Sequence, residues 1–129
     1  MIKLNRNGKI KIKLLQGEIK MIIDFKNTEA KVIPNFKGGE KSISAKMYFD
    51  GVNRILHGVL ESGASIGLHT HETNSETIYI LKGKGVVLYD GEYEKLEEGM
   101  CHHCPKGHTH SLINDSDADL EFFAVVPEQ

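Results

Sequence analysis

The 129-residue chain contains only two cysteines, no run of eighteen apolar residues and little net charge. Two cysteines do not make the disulfide framework of a small secreted protein, so a reducing cytoplasm is the simplest setting. The missing apolar run argues against a membrane-spanning helix, and the net charge of −2 argues against a general nucleic-acid binder. The length suits one globular domain that buries roughly two thirds of its unfolded surface. These absences predict a single domain whose partner is neither a membrane nor a nucleic acid.

The first twenty residues differ from the rest of the chain in charge. They carry six basic residues and one acidic residue, a net charge of +5, which leaves −7 for residues 21–129. This basic arm could be a solvated extension, a contact for an anionic partner, or an extra strand exchanged with a second copy. The stretch "QGE" ahead of Met21 allows another interpretation, because its codons can contain a bacterial ribosome-binding sequence. We therefore divide the chain into residues 1–20, a basic arm or translated leader, and one domain at residues 21–129.

Short runs rich in β-branched and aromatic residues recur along the chain, and helical periodicity is nearly absent. Glycine, aspartate and asparagine separate these runs, a pattern that is typical of an all-β domain, either a sandwich or a small barrel. The dipeptide Asp90-Gly91 predicts a two-residue hairpin in which both residues have positive φ. The candidate strands are Ile43–Phe49, Val52–Leu60, Ile66–His71, Glu76–Leu81, Gly85–Tyr89, Glu92–Leu96, Met100–Cys104, His110–Ile113 and Leu120–Val126.

Six of the seven histidines lie between His69 and His110. His69 and His71 share one face of a strand, with Cα atoms roughly 6.5–7 Å apart, a spacing at which two imidazoles can reach one ion. A polar turn then returns Glu76 toward them, and His110 enters a later strand. Three histidines and one carboxylate suit a divalent transition metal ion such as Mn, Fe, Co, Ni or Zn.

These residues occur at spacings that resemble the two sequence motifs of the cupins. The first motif is glycine, five residues, His-x-His, three or four residues, glutamate, six residues and glycine, and the stretch Gly63 to Gly83 meets it. The second is glycine, five residues, Pro-x-Gly, two residues, histidine, three residues and asparagine, which Gly99 to Asn114 meets. Ten fixed positions at the required spacings are unlikely by chance, so the chain resembles a small single-domain microbial cupin.

The resemblance implies a double-stranded β-helix, a jelly-roll-like barrel of two antiparallel sheets. It also implies that the mouth of the barrel holds one metal ion bound by His69, His71, Glu76 and His110. A barrel of about eight strands has room for one small ligand. Because cupins often dimerise, a homodimer is expected as well.

Several polar residues near the motifs are left unassigned by the resemblance. His57, His103 and His108 are candidates for acid–base groups beside the ion, whereas Glu72 should point away from it. In the stretch "CHHC", strand alternation groups Cys101 with His103 and His102 with Cys104. One of these pairs should face the interior and help to bind the ligand, and the sequence does not decide which. A zinc or redox function of the two cysteines is disfavoured, because residues three apart lie on opposite faces of a strand.

Two functions remain open from the sequence. The first is a small metalloenzyme acting on a small oxygen-rich molecule, with dioxygenase, isomerase, decarboxylase or lyase chemistry, among which a fold cannot choose. The alternative is a non-catalytic, metal-dependent domain that binds or senses a small molecule. A storage-type protein is disfavoured at this length.

Overall fold

The computed structural model describes residues 21–129 throughout, preceded by the backbone of two short strands. These strands, β1 (Ile2–Leu4) and β2 (Ile10–Ile12), pair antiparallel with Ile2 opposite Ile12. The prediction that residues 1–20 are an arm or a translated leader falls mostly outside the described residues and stays a prediction.

The remaining strands form two antiparallel sheets, as predicted for an all-β barrel. The larger sheet has the order β10-β7-β12-β5-β4-β3 and the smaller one β6-β11-β8-β9. Among the described residues, neither of the two helical segments, the 3₁₀ turns Phe25–Asn27 and Phe36–Gly38, is long and apolar enough to cross a membrane. The strands are β3 (Lys31–Pro34), β4 (Ser42–Phe49), β5 (Asn53–Leu60), β6 (His69–Thr70), β7 (Glu76–Lys82), β8 (Lys84–Tyr89), β9 (Glu92–Glu97), β10 (Cys101–Cys104), β11 (Thr109–Ile113) and β12 (Leu120–Pro127).

Within residues 21–129, two strands differ from the sequence prediction. The structure adds β3 at the edge of the larger sheet, where it pairs with β4. The predicted strand Ile66–His71 shrinks to the two residues of β6. Its first part pairs with a loop instead, because the Gly67 amide donates to the Phe36 carbonyl at 2.9 Å. The predicted hairpin between β8 and β9 is confirmed, with φ of 48° at Asp90 and 87° at Gly91.

One end of the barrel is filled by apolar side chains, and we call it the packed end. Leu60, Ile80, Val87 and Leu120 have no exposed surface there. Each such side chain contributes about 1.5–3 kcal/mol by burial, so this end supplies much of the fold's stability. The buried amide of Asn114 closes it by donating to the carbonyls of Leu60 at 2.8 Å and Ala118 at 2.7 Å.

Candidate metal centre

The opposite end, the mouth of the barrel, brings the four predicted metal ligands together. His69 and His110 lie on the smaller sheet, where β6 and β11 place them directly opposite each other. His71 follows β6, and Glu76 begins β7 on the larger sheet. The cluster therefore joins the two sheets across the interior of the barrel.

The four ligand atoms surround one point. Glu76 Oε1 lies 2.9 Å from His110 Nε2 and 3.3 Å from His71 Nε2. His110 Nε2 lies 2.9 Å from His71 Nε2 and 3.2 Å from His69 Nε2. Ligands that bind one ion at about 2.1 Å and at right angles are about 3 Å apart, so these separations suit a divalent transition metal.

The far side of two of these imidazoles is held by an oxygen acceptor. His69 Nδ1 donates to the Gly67 carbonyl at 2.7 Å, and His71 Nδ1 donates to Asn74 Oδ1 at 2.5 Å. The amide group of Asn74 is itself oriented, because its Nδ2 donates to Glu128 Oε1 at 3.0 Å. Since an oxygen can only accept, the proton of each ring stays on Nδ1 and the Nε2 lone pair faces the cluster.

The charges at the mouth also fit a cation. Burial alone would raise the pKa of Glu76, but hydrogen bonds with His110 and His71 outweigh it and hold the pKa at about 2. Burial lowers the pKa of His69, whereas the hydrogen bond to Glu76 raises that of His71. Without an ion, a proton on Nε2 of His71 or His110 makes the hydrogen bond to the Glu76 carboxylate. A bound cation would replace this proton and satisfy the buried carboxylate together with the Nε2 lone pairs.

Behind His110 lies a second buried histidine. His102 Nε2 is 3.0 Å from His110 Nδ1, and both side chains are buried. The sequence did not decide which pair of the "CHHC" stretch faces inward. In the structure His102 and Cys104 do so, since Cys104 lies opposite Glu76 in the pairing of β10 with β7. Burial lowers the pKa of His102 to about 4 and raises that of the Cys104 thiol to about 11.

Two of the predicted acid–base histidines lie on the outer surface of the larger sheet. His57 Nε2 is 2.7 Å from Glu121 Oε1, and the His57 ring lies 6.4 Å from that of Phe25. His103 is exposed and hydrogen-bonded to Thr77 Oγ1 at 3.0 Å. The expectation that they lie beside the ion is corrected, because strand alternation turns both away from the interior.

His108 is also separated from the ligand atoms. Its Nδ1 lies 2.6 Å from Asp90 Oδ2, and its ring stacks on Tyr89 with a centroid distance of 5.6 Å. The hydrogen bond from His108 lowers the pKa of Asp90. The turn at Gly107 directs His108 toward the β8–β9 hairpin, so the expected place beside the ion is corrected here too.

A cavity of about 500 Å³ opens from the cluster toward solvent. His69, His71 and Glu76 form one end of it, and its walls are mostly apolar side chains of the larger sheet and of the segment before β4. Its exposed polar residues include Lys37, Arg54 and Glu72. Neither His102 nor Cys104 lines this cavity, so the expected contact between the "CHHC" strand and a ligand is corrected: His102 contacts a ligand residue of the ion instead.

Lys37 lines the cavity from a loop whose position beside the site the sequence did not indicate. This Lys37 loop, residues 35–41, lies against the segment leading to His69. Gly39 and Gly67 make the approach possible, because a Cβ on Gly67 would lie 2.0 Å from the Lys37 carbonyl oxygen. Lys37 itself has φ of 57°, a conformation uncommon for a residue with a side chain. Gly39 and Gly67 were the sequence signals available for this contact.

Known relatives share part of the chain. An oxalate-binding protein from Thermotoga maritima is 40% identical over 67 residues, which cover 52% of this chain and 55% of that protein. An uncharacterized protein from Aquifex aeolicus is 41% identical over 52 residues, covering 40% and 43%. The chain thus spans about half the length of the curated relatives it matches.

Solved structures share the whole barrel. A predicted oxalate decarboxylase from Thermotoga maritima superposes with a TM-score of 0.80 at 29% identity, covering 84% of this chain and all of that one. An RmlC-like cupin from Shewanella frigidimarina superposes with a TM-score of 0.71 at 16% identity, covering 86% and 93%, a likeness of fold alone. The family model of the cupin domain matches residues 56–126, more than half of the chain. The chain belongs to the cupin family.

Proposed function

We propose that this cupin holds one divalent transition metal ion and uses it to bind a small chelating carboxylate, with oxalate as the type ligand. The observation that carries the proposal is the convergence of three imidazole nitrogens and the Glu76 carboxylate, three of whose residues, His69, His71 and Glu76, line a cavity. The names of the two Thermotoga maritima proteins, an oxalate-binding protein and a predicted oxalate decarboxylase, support the ligand class. Imidazole and carboxylate ligands suit Mn, Fe, Co, Ni or Zn.

The residues around the cavity favour an anion. A bound divalent ion would polarise the oxygens of a chelating ligand at positions that the four protein ligands leave open. Lys37 and Arg54 add positive charge at the exposed side of the cavity, and Lys37 is close enough to oppose the rise in the pKa of His71. Both cations can therefore pair with carboxylate oxygens that face away from the ion.

The cavity is larger than oxalate requires. Its volume of about 500 Å³ lies within the usual range for small-molecule sites. Its apolar walls include Met47, Leu56 and Phe122, which cannot satisfy a second polar group. We therefore expect carboxylates with a short apolar tail, such as 2-oxo acids, to bind in the same place as oxalate.

Catalysis is the second candidate, and one residue favours it. Glu72 lines the cavity and is exposed, so its carboxylate could exchange a proton with a bound ligand. Decarboxylase, lyase and isomerase chemistry would all use a group that exchanges protons with the ligand. Because the three predicted acid–base histidines face elsewhere, binding is the function that more of the site supports.

Calorimetric titration of oxalate and a 2-oxo acid into metal-loaded and metal-free protein tests the proposal. We expect binding only to the loaded protein, and a loss of about tenfold in Lys37→Met, equal to about 1.4 kcal/mol. Lys84→Met removes an exposed lysine outside this cavity and is the matched control. Equal binding with and without metal, or none in either, would contradict the proposal. Turnover of oxalate that is lost in Glu72→Gln would establish the catalytic version.

The predicted homodimer would bury the outer surface of the larger sheet. Neighbouring strands align Tyr48, Ile55 and Val125 in one outer row, and Phe123 beside Tyr79 in the next. Tyr79 is 43% exposed, so this apolar surface has area to bury. Light scattering should give twice the chain mass, and Tyr79→Glu should give a monomer; a monomeric parent protein would refute the dimer.

A further inference from the structure

We propose that His102 is a positioning residue, which accepts a hydrogen bond from His110 Nδ1 and so fixes the tautomer in which His110 Nε2 can bind the metal. The proposal rests on the metal part of the proposed function and is independent of the carboxylate ligand. It gives the first histidine of the "CHHC" stretch a role that the cupin motifs do not contain.

The geometry sets His110 apart from the other two imidazoles. His69 and His71 each donate to an oxygen, which can only accept, so their protons are fixed on Nδ1. His110 Nδ1 instead faces an imidazole nitrogen, His102 Nε2, at 3.0 Å. An imidazole nitrogen can donate or accept, so the state of one ring decides the state of the other.

Only one of the two arrangements allows a metal to bind. If His102 Nε2 carried the proton, His110 would accept at Nδ1 and hold its own proton on Nε2. That proton would point at Glu76 Oε1, 2.9 Å away, and would occupy the place of the ion. With the proton of His102 on Nδ1, His110 donates outward and its Nε2 lone pair faces the other ligand atoms. His102 therefore completes the set of acceptors behind the ligand histidines.

The surroundings keep the His102 ring in place beside His110. Its ring meets Tyr89 edge-on at a centroid distance of 5.5 Å, and β10 places it opposite Ile78. A rival use of the same residues is a second metal bound by His102, Cys104 and His110, whose ligand atoms also lie close together. That arrangement would require His110 to lose its Nδ1 proton. Cys104 Sγ already donates to the Pro105 carbonyl at 3.9 Å, so the hydrogen bond between His110 and His102 is favoured over the second metal.

Two variants of similar size separate acceptance from packing. His102→Gln keeps a side-chain oxygen that can accept, whereas His102→Leu fills the space with no acceptor. Metal affinity is measured by competition with a chelator for Mn and Zn, with no carboxylate present. We expect His102→Leu to lose about 10–100-fold, the usual effect of removing a hydrogen-bond partner of a metal ligand, and His102→Gln to stay within about threefold of the parent. Equal affinities of the two variants would overturn the proposal.

A spectroscopic measurement reports the hydrogen bond directly. In zinc-loaded protein with ¹⁵N-labelled histidine, we expect the proton on His110 Nδ1 and a coupling across the bond to His102 Nε2. A proton on His102 Nε2, or no coupling, would overturn the proposal. Two metal ions per chain, falling to one in Cys104→Ala, would do so in favour of the rival site. Lost oxalate binding with retained metal would refute the carboxylate part alone, whereas a parent protein that holds no metal would refute both.

Discussion

At the packed end of the barrel, Leu60, Ile80 and Leu120 are fully buried, whereas the mouth places the polar side chains of His110 and Glu76 almost as deep. The same strands supply both ends, since β7 begins with Glu76 and continues through Ile80. Burial of the apolar side chains stabilises the fold, whereas burial of the polar side chains costs free energy unless they find partners. Residues a few positions apart on one strand therefore contribute either to stability or to metal binding. Variants at the two ends should lower different quantities, the free energy of unfolding at one end and the metal affinity at the other.

The largest effect is expected at the packed end. Ile80→Ala should lower the free energy of unfolding by about 2–5 kcal/mol, because it removes methylene groups from a fully buried site and leaves a cavity. The metal affinity of the folded fraction should stay within about threefold of the parent, a prediction to be checked by urea denaturation and chelator competition. Ile80→Val is the conservative control, with an expected loss of about 0.5–1.5 kcal/mol. A specific loss of metal in Ile80→Ala would show that the packed end and the mouth are not independent.

The mouth should show the reverse pattern. His71→Ala removes one of the four proposed ligands and should lower metal affinity by about a hundredfold or more, which is about 2.7 kcal/mol. The metal-free protein should lose less than half the stability that Ile80→Ala loses, because the apolar interior is unchanged. Chelator competition and urea denaturation of the same samples measure both quantities. Equal metal content in His71→Ala and the parent would show that the ion is held elsewhere.

In the Lys37 loop, a change in backbone packing should alter the binding of the carboxylate ligand. Gly67→Ala puts a Cβ 2.0 Å from the Lys37 carbonyl oxygen, so the loop must move. We expect oxalate affinity to fall about tenfold, about 1.4 kcal/mol, while metal affinity changes by less than the oxalate affinity. Gly39→Ala, which meets Ser65 on the same contact, should behave alike, and the double variant should lose less than the sum. Unchanged oxalate titrations in both single variants would remove the loop from the binding site.

The sequence was sufficient for most strands and for the clustering of the four predicted ligands, because alternation and motif spacing can be read from the chain itself. Glu76 and His110 were placed with His69 and His71 by the spacing of the cupin motifs. The hairpin expected between His71 and Glu76 is not formed, because β6 and β7 lie in different sheets. The side of β10 that faces inward could not be predicted, because it depends on the register that places Cys104 opposite Glu76. His57 and His103 were misplaced for the same reason, since parity within a strand does not say which parity is internal.

The Lys37 loop was beyond sequence reasoning for a different reason. Strand β3 before it shows no alternation of buried and exposed residues, and three of its four residues, Lys31, Val32 and Pro34, are exposed. The loop takes its shape from a contact between Gly39 and Gly67, 28 positions apart in the chain. Tertiary contacts of this kind override the backbone conformation that a residue prefers, as the positive φ of Lys37 shows.

The smallest effect concerns pH and separates the two ends once more. Burial lowers the pKa of His102 from 6.5 to about 4, so its neutral form is favoured in the folded state. Its contribution to stability is therefore present above pH 6.5 and is lost as the pH falls from 6.5 toward 4. In metal-free protein the parent should lose on the order of 1 kcal/mol more over this range than His102→Gln, which has no proton to bind there. Ile80→Val, which adds and removes no titrating group, should lower the whole curve without changing its slope. Urea denaturation at several pH values measures all three proteins, and parallel curves for the parent and His102→Gln would show that His102 binds protons alike in both states.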